Sequence, residues 1–252
     1  MNCRIILQGG LGNQMFQVAT GWSYAKKHGM IFSISDSVNK GLVGVTPRKN
    51  YNSTVLKNLD TYKDDIIIGF RRYQEPSFIY IPIPKANGNI LLSGYFQSEK
   101  YFKDLDTSIF NLPEYPMKKN CISIHVRRTD YLNHPDIHVC TDINYFKKAI
   151  SLLPTNSDTR FIIFSDDHHY ITSVFVKELK LRNWELSNLD DISEMALMAS
   201  CEHNIISNSS FSWWASHLNK NSNKIVIAPK KWFGNNGPKD FSTVYRNGMI
   251  LL

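Results

Sequence analysis

The sequence predicts an α/β protein made of two doubly wound units in tandem. Three observations carry that expectation. A β-α-β pattern opens the chain, a polar stretch with two prolines interrupts it at Asn111–Asn120, and apolar runs alternating with helical stripes resume after it.

Arg4–Leu7 reads as the first strand and runs into a turn holding Gly9, Gly10 and Gly12. Gln14–Lys27 follows as a helix, with Phe16, Ala19, Trp22 and Ala25 forming its apolar stripe and His28-Gly29 ending it. Met30–Ser35 is the second strand and closes on Asp36. Residues 37–89 carry scattered Asn, Lys, Tyr and Pro, and no element can be placed there from pattern alone. Ile90–Leu92 reads as a strand, followed by a short helix through Tyr101-Phe102. The polar stretch 111–120 is the expected linker, dividing the chain into domains at 1–118 and 119–252.

The second series begins with a strand at Cys121–Val126. A helix at Asn144–Leu153, a strand at Arg160–Phe164 and a helix at Tyr170–Leu179 follow. Then come a helix at Asp191–Cys201, a strand at His203–Ile206, a helix at Phe211–Leu218 and a last strand at Lys224–Ala228. No internal repeat or low-complexity segment is present.

Lys and Arg outnumber Asp and Glu 29 to 22, a net charge of +7 that favours an anionic partner. No basic run is dense enough for a nucleic-acid arm, so nucleic acid is not expected as a partner. The four cysteines, Cys3, Cys121, Cys140 and Cys201, form no C-x-x-C pair and read as buried or spare thiols in a reducing compartment. No stretch reaches the roughly 18–20 apolar residues that span a bilayer. No signal-peptide pattern opens the chain. A soluble cytoplasmic protein is expected, with weak peripheral membrane association open to it.

Three loops carry residues suited to chemistry. The first is His125-Val126-Arg127-Arg128-Thr129-Asp130-Tyr131, at the end of an apolar strand. Two adjacent guanidinium groups there cannot both enter a core, and their forked donors suit phosphate or carboxylate. In an open α/β sheet, ligands bind beyond the carboxyl ends of the strands. A surface Arg pair bridged to Asp130 is the plain alternative. The second loop is Ser207-Asn208-Ser209-Ser210-Phe211-Ser212-Trp213-Trp214, where Ser209 or Ser210 can cap a helix or bind a phosphate. At least one of the two tryptophans is expected in the core. The third is Asp166-Asp167, after the strand Phe161–Phe164. Those acids can cap a helix, bind a divalent metal with a diphosphate, or accept hydrogen bonds from a ribose or guanine; the last is preferred, because nearby arginines make a metal redundant. His168, His169 and His203 lack metal-ligand spacing and read as capping or surface groups.

The opening loop Gly9-Gly10-Leu11-Gly12-Asn13-Gln14 half-matches a dinucleotide fingerprint, with Met15 where a third glycine would stand and Asp36 where a ribose-binding acid would be. An NAD-dependent oxidoreductase is therefore the alternative reading. Asn13 and Gln14 can hydrogen-bond a ligand directly, or Asn13 can simply cap the helix.

Taken together and in order, HVRRTDY, FSDD and SNSSFSWW resemble the α-1,2-fucosyltransferases of glycosyltransferase family 11. GGLGNQMFQ at the N-terminus, GYFQSEKYF at Gly94–Phe102 and PKKWF at Pro229–Phe233 are similar to further family segments. One departure is Thr129, where many members have Gly. The resemblance implies a GT-B-like fold, two Rossmann-like domains facing across a donor-binding cleft, with the N-terminal domain on the acceptor side. It implies inverting transfer of L-fucose from GDP-fucose, a co-substrate, to the 2-hydroxyl of a terminal galactose, without a metal or another cofactor. On that reading Arg127 and Arg128 hold the donor diphosphate, and Gly12, Asn13 and His125 lie near the donor. Asp166 and Asp167 bind it, and Ser209, Ser210 and Phe211 contact its phosphates. Asp130 is the positional candidate for the base. A carboxylate between guanidinium groups is a weak one, however, and can instead orient Arg127 or Arg128.

Overall fold

The computed structural model describes residues 1–35, 49–62 and 69–252. Asp36, to which the oxidoreductase alternative appealed, lies outside the described residues. The chain divides into two compact units. One comprises Met1–Leu112 with Asp240–Arg246, the other Pro113–Lys239 with Asn247–Leu252.

The first unit holds β1 (Asn2–Ile6), α1 (Leu11–His28), β2 (Ile31–Ser35), β3 (Thr61–Tyr62), β4 (Phe70–Gln74) and β5 (Asn89–Ser93). Its strands form one sheet in the order β3-β2-β1-β5-β4, with every pairing parallel. Ile5 and Ile6 of β1 and Leu91 and Leu92 of β5 are buried, as parallel strands covered on both faces require, and Arg4 in β1 is buried beside them with its guanidinium over the Phe70 ring. Helix α1 ends at Gly29, whose φ of +62° suits a left-handed cap, and Lys26, Lys27 and His28 face the negative end of the helix dipole. Strand β4 escapes the pattern reading because its sequence, Phe-Arg-Arg-Tyr-Gln, is that of a charged sheet edge. Residues 240–246 return to this unit, where Thr243 Oγ1 accepts the Tyr80 N–H at 2.8 Å.

The second unit contains β6 (Lys118–Val126), α2 (Thr129–Asn133), α3 (Ile143–Ser151) and β7 (Arg160–Ser165). After β7 come a helical stretch made of α4 (His168–Tyr170), a π-turn (Ile171–Phe175) and α5 (Val176–Glu178), then β8 (Trp184–Leu186), α6 (Asp191–Ala199), β9 (Cys201–Ile205), α7 (Ser210–Leu218), β10 (Val226–Ala228) and β11 (Met249–Leu251). The all-parallel sheet runs β11-β10-β9-β6-β7-β8, which is the doubly wound 3-2-1-4-5-6 order counted within the unit. Strand β6 starts at Lys118, inside the stretch expected as linker, and β8 and β11 are strands the pattern did not mark.

Both Trp213 and Trp214 are fully buried, so neither is a ligand platform. His203 corrects another expectation. It is buried in β9, its Nδ1 accepts the Ile225 N–H at 3.1 Å, and burial lowers its pKa, whereas His168 and His169 are exposed at a helix start.

Candidate active site

A doubly wound sheet has one place where the strand order reverses and the loops leaving two neighbouring strands diverge. In the second unit that place lies between β6 and β9. Strand β6 leads into Arg127-Arg128, and β9 leads into Ser207–Ser210 at the start of α7. Strand β7, beside β6, leads into Asp166-Asp167. Topology thus gathers three loops that the sequence singled out separately.

Their geometry divides them into clamp and support. Arg127 reaches Asp130 at 2.8 Å and Asp166 at 3.3 Å; Arg128 Nε donates to Asp167 Oδ2 at 3.1 Å, and its guanidinium carbon lies 3.6 Å from the Tyr170 ring centroid. Stacking on an aromatic face fixes the guanidinium plane. The terminal nitrogens of Arg128 have no partner among the described residues, and the side chain is only 21% exposed. The fork is held at its stem and open at its tip.

Asp166 acts as the support. Its Oδ1 accepts the Arg128 N–H at 2.9 Å, and its Oδ2 accepts the Thr129 N–H at 3.1 Å and the Thr129 hydroxyl at 2.5 Å. Burial raises its pKa, but the Thr129 hydroxyl, the Arg127 charge and the two backbone donors outweigh that, and the carboxyl stays below its usual value. Both oxygens are therefore committed to the loop rather than turned towards a ribose or base. Thr129, the departure from the family pattern, supplies a bond that glycine could not. Asp167 caps α4 through the Tyr170 N–H at 2.9 Å while it holds Arg128.

Asp130 lies on the short helix α2, which the sequence did not reveal, with its side chain 53% exposed and bonded to Arg127. For Arg127, burial works to lower the pKa, yet the Asp130 bond and the Asp166 and Asp130 charges prevail and raise it. Tyr131 locks α2 in place by donating to the Asn208 carbonyl at 2.8 Å.

His125 is 5% exposed, its Nδ1 is 2.7 Å from Ser207 Oγ, and its ring centre lies 5.5 Å from that of Phe211. Burial, helped by the Arg127 charge, drives its pKa down to about 3, so it is a neutral strut between β6 and α7. Ser209 caps α7 by accepting the Phe211 N–H at 3.3 Å, and the helix has no acid in its first turn. Ser209, Ser210 and Phe211 are all partly exposed around that N-terminus, which is suited to an anion.

The first unit repeats the plan with neutral groups. Its reversal lies between β1 and β5. Helix α1 starts at Leu11, three residues earlier than the pattern placed it, with Gly10 as an N-cap that offers no side-chain bond. Asn13 is therefore not the cap. Its Oδ1 accepts the Gln97 amide at 2.8 Å, joining the loop after β1 to the loop after β5. Gly9, at φ +74°, makes room for it, since a Cβ there would lie 2.6 Å from Asn13 Nδ2. Gly12 is buried in the first helical turn. Gln14 is fully buried and donates to the Gly9 and Lys49 carbonyls at 2.8 and 2.9 Å, which removes it from ligand contact. Among the described residues, no three His, Cys, Asp or Glu side chains gather as a metal site. None of the described helices is long and apolar enough to cross a membrane.

Two parallel-sheet units of this order, one with an arginine fork at its strand-order reversal, define an α/β protein of the GT-B-like class. The chain belongs to glycosyl transferase family 11, whose model matches residues 2–250. It is 29% identical to the Escherichia coli O-antigen biosynthesis glycosyltransferase WbnK, over 92% of this chain and 96% of that protein. An α-1,2-colitosyltransferase of Escherichia coli is 26% identical over 90% and 91% of the two chains. A galactoside 2-alpha-L-fucosyltransferase of Caenorhabditis elegans is 23% identical over 88% and 70%. In fold, the chain resembles the fucosyltransferase NodZ from Bradyrhizobium, at TM-score 0.52 and 15% identity over 86% of this chain and 94% of that one. The chain is a glycosyltransferase, and the oxidoreductase alternative has no support.

Proposed function

We propose that the protein transfers L-fucose from GDP-fucose, with inversion, to the 2-hydroxyl of a terminal galactose on an oligosaccharide or O-antigen glycan. The second unit holds the donor and the first receives the acceptor. The observation that carries the reading is the Arg127-Arg128 fork at the β6/β9 reversal, pinned by Asp166 and Asp167 and open at the Arg128 tip.

As the bond between fucose C1 and the diphosphate breaks, negative charge builds on the β-phosphate. A guanidinium already fixed in place stabilises that charge most in the transition state, with no reorganisation needed. Ser209, Ser210 and the open N–H groups at the head of α7 supply further donors. Arg127 and Arg128 are the catalytic residues of this proposal, and Asp166, Asp167 and His125 hold them in position. Asp130, bonded to Arg127, serves to orient it. The arginines supply the counter-charge a metal would bring, so the reaction proceeds without metal or cofactor.

The test is GDP release and glycan product formation from GDP-fucose with lactose, in EDTA, for wild type and Arg127→Ala. Acceptor-dependent release that the variant loses, with an α-1,2 linkage in the product, supports the reading; metal-dependent turnover removes the metal-free part. Because a relative transfers colitose, which is fucose lacking one hydroxyl, GDP-colitose belongs in the donor panel. Failure to bind GDP-fucose at all sinks the donor assignment.

Weak association with anionic lipid, in the cytoplasm, is part of the same proposal. Lys26, Lys27, Lys100 and Lys103 line a recess of about 530 Å³ on the first unit, together with Tyr24, Tyr80 and Tyr101. Flotation with acidic vesicles is expected at low salt and weakens as salt is added. No flotation even at low salt counts against it.

A further inference from the structure

The loop carrying Gln97 is itself gripped by a carboxylate. Glu75, the residue after β4, places Oε2 between two consecutive backbone donors, 2.7 Å from the Tyr95 nitrogen and 2.9 Å from that of Phe96. The fit is close: a Cβ on Gly94 would lie 2.3 Å from Glu75 Cβ. Phe96 is held at φ +52°, a left-handed conformation that a non-glycine residue keeps only when its surroundings enforce it. The next residue, Gln97, donates to Asn13. Glu75 Oε1 is buried without a hydrogen-bond partner, and no cationic side chain pairs with the carboxylate among the described residues.

We propose that Glu75 is a positioning residue for Asn13, acting through the Tyr95 and Phe96 amides and the Gln97 side chain. Ionised, Glu75 accepts both amides through charge-assisted bonds, which are shorter and stronger than neutral ones. These hold Phe96 in its strained conformation and aim Gln97 at Asn13. Protonated, Glu75 is a weaker acceptor, and Gln97 loses its fixed place. The inference rests on the proposed GDP-fucose reaction and on the expectation, from the family resemblance, that Asn13 lies near the donor.

Burial pushes the Glu75 pKa up to about 7, against the pull of the Phe96 and Tyr95 amides. The titratable groups facing it are Tyr73 on β4 and Tyr101 in the 3-10 turn Glu99–Tyr101, both with pKa values raised mainly by burial. Neither phenol changes charge near neutrality, so the switch follows Glu75. Catalytic efficiency towards the donor therefore rises as pH climbs through about 7. Stability runs the other way: a carboxyl raised in the fold disfavours folding progressively between its ordinary value of 4.5 and about 7. Glu75→Gln, which carries no charge to bury, is thus expected to fold at alkaline pH.

The experiment is a double-mutant cycle read from about pH 5.5 to 9. It measures kcat and KM for GDP-fucose in wild type, Glu75→Gln, Asn13→Ala and the double variant, with melting curves for each. Glu75→Gln is expected to lose the acid limb near neutrality and to fall on the order of 10-fold in kcat/KM at alkaline pH, as a misaligned group does. It is expected to change nothing further in the Asn13→Ala background. Gln97→Ala gives a second route to the same non-additivity, should Glu75→Gln fail to fold. Additive effects, or an acid limb unchanged in Glu75→Gln, overturn the inference and leave the role of Asn13 intact. Wild-type kinetics in Asn13→Ala overturn that role, and this inference with it.

Discussion

The two units build the same device from different materials. Each has a parallel sheet whose strand order reverses once, and in each a side-chain link ties the loops there. In the second unit the link is ionic, with Asp166 and Asp167 gripping Arg127 and Arg128. In the first it is neutral, an amide of Gln97 on an amide of Asn13. On the proposed function, charge lies where the reaction builds charge, and uncharged groups lie where a sugar or nucleotide has only to be placed. The ionic version also needs more support, since each guanidinium must be fixed yet leave nitrogens free. Tyr170, Asp167 and the Asp166 network provide that, whereas Asn13 is touched by Gln97 and fits in the space left by Gly9, with Glu75 acting one step further back.

Removing one guanidinium should break the contrast most severely. Arg128→Ala is expected to lower kcat on the order of 100-fold or more, because a preorganised donor is lost from the transition state. Its melting temperature should hardly move, as a part-exposed ion pair is worth about 0–1 kcal/mol. A matching fall in melting temperature would mean that Arg128 is structural. Asp166→Asn should be intermediate in activity and larger in stability. It leaves three donors and a guanidinium with a weaker acceptor, a loss of about 1–3 kcal/mol. Because the Asp166 pKa lies below its usual 3.8, its stabilisation is complete above that value and disappears as the pH falls beneath it. Acid denaturation of the variant should therefore lack that component.

His125 tests the support alone. Its pKa falls from 6.5 to about 3 in the fold, so folding excludes a proton. Its contribution is present above pH 6.5 and is lost progressively as pH drops towards 3. His125→Gln should flatten the decline in melting temperature across that window, and activity between neutral and mildly alkaline pH should show no limb belonging to His125. An unchanged slope would place the acid sensitivity elsewhere.

The second unit was far more legible in sequence than the first. Arg127-Arg128 follow an uninterrupted apolar run, and period and charge collide there, so the pattern marks both strand and clamp. The Asp166-Asp167 and Ser209-Ser210 loops stand out in the same way. What the pattern could not supply was who bonds whom. Asp166 reads as a ligand-facing acid until the fold sets β7 beside β6 and brings it to Arg128, 38 positions earlier in the chain. Strand β4 hides because an edge strand needs no apolar alternation. Glu75, after it, hides because nothing local marks a carboxylate whose partners are backbone amides 20 and 21 residues away. The positive φ of Phe96, two residues after Gly94, marks the place, and it is visible only in the backbone.

The smallest expected effect sharpens the comparison at the helix heads. Helix α7 is capped by the Ser209 side chain, while α1 has Gly10 in the same position with no side-chain bond. Gly10 has φ −76° and ψ −179°, and a Cβ there would meet nothing within 4 Å. Serine therefore fits, and its hydroxyl would accept one of the open N–H groups of the first turn. Gly10→Ser should raise stability by a few tenths of a kcal/mol, the usual gap between these two caps. If those N–H groups serve a ligand, the same substitution must raise KM for GDP-fucose, because a hydroxyl now competes for them. Ser209→Ala should show the converse, losing about 1 kcal/mol of stability. A more stable Gly10→Ser protein with unaltered KM would mean that the head of α1 turns a loop and binds nothing, and the likeness between the two reversals would then be one of topology alone.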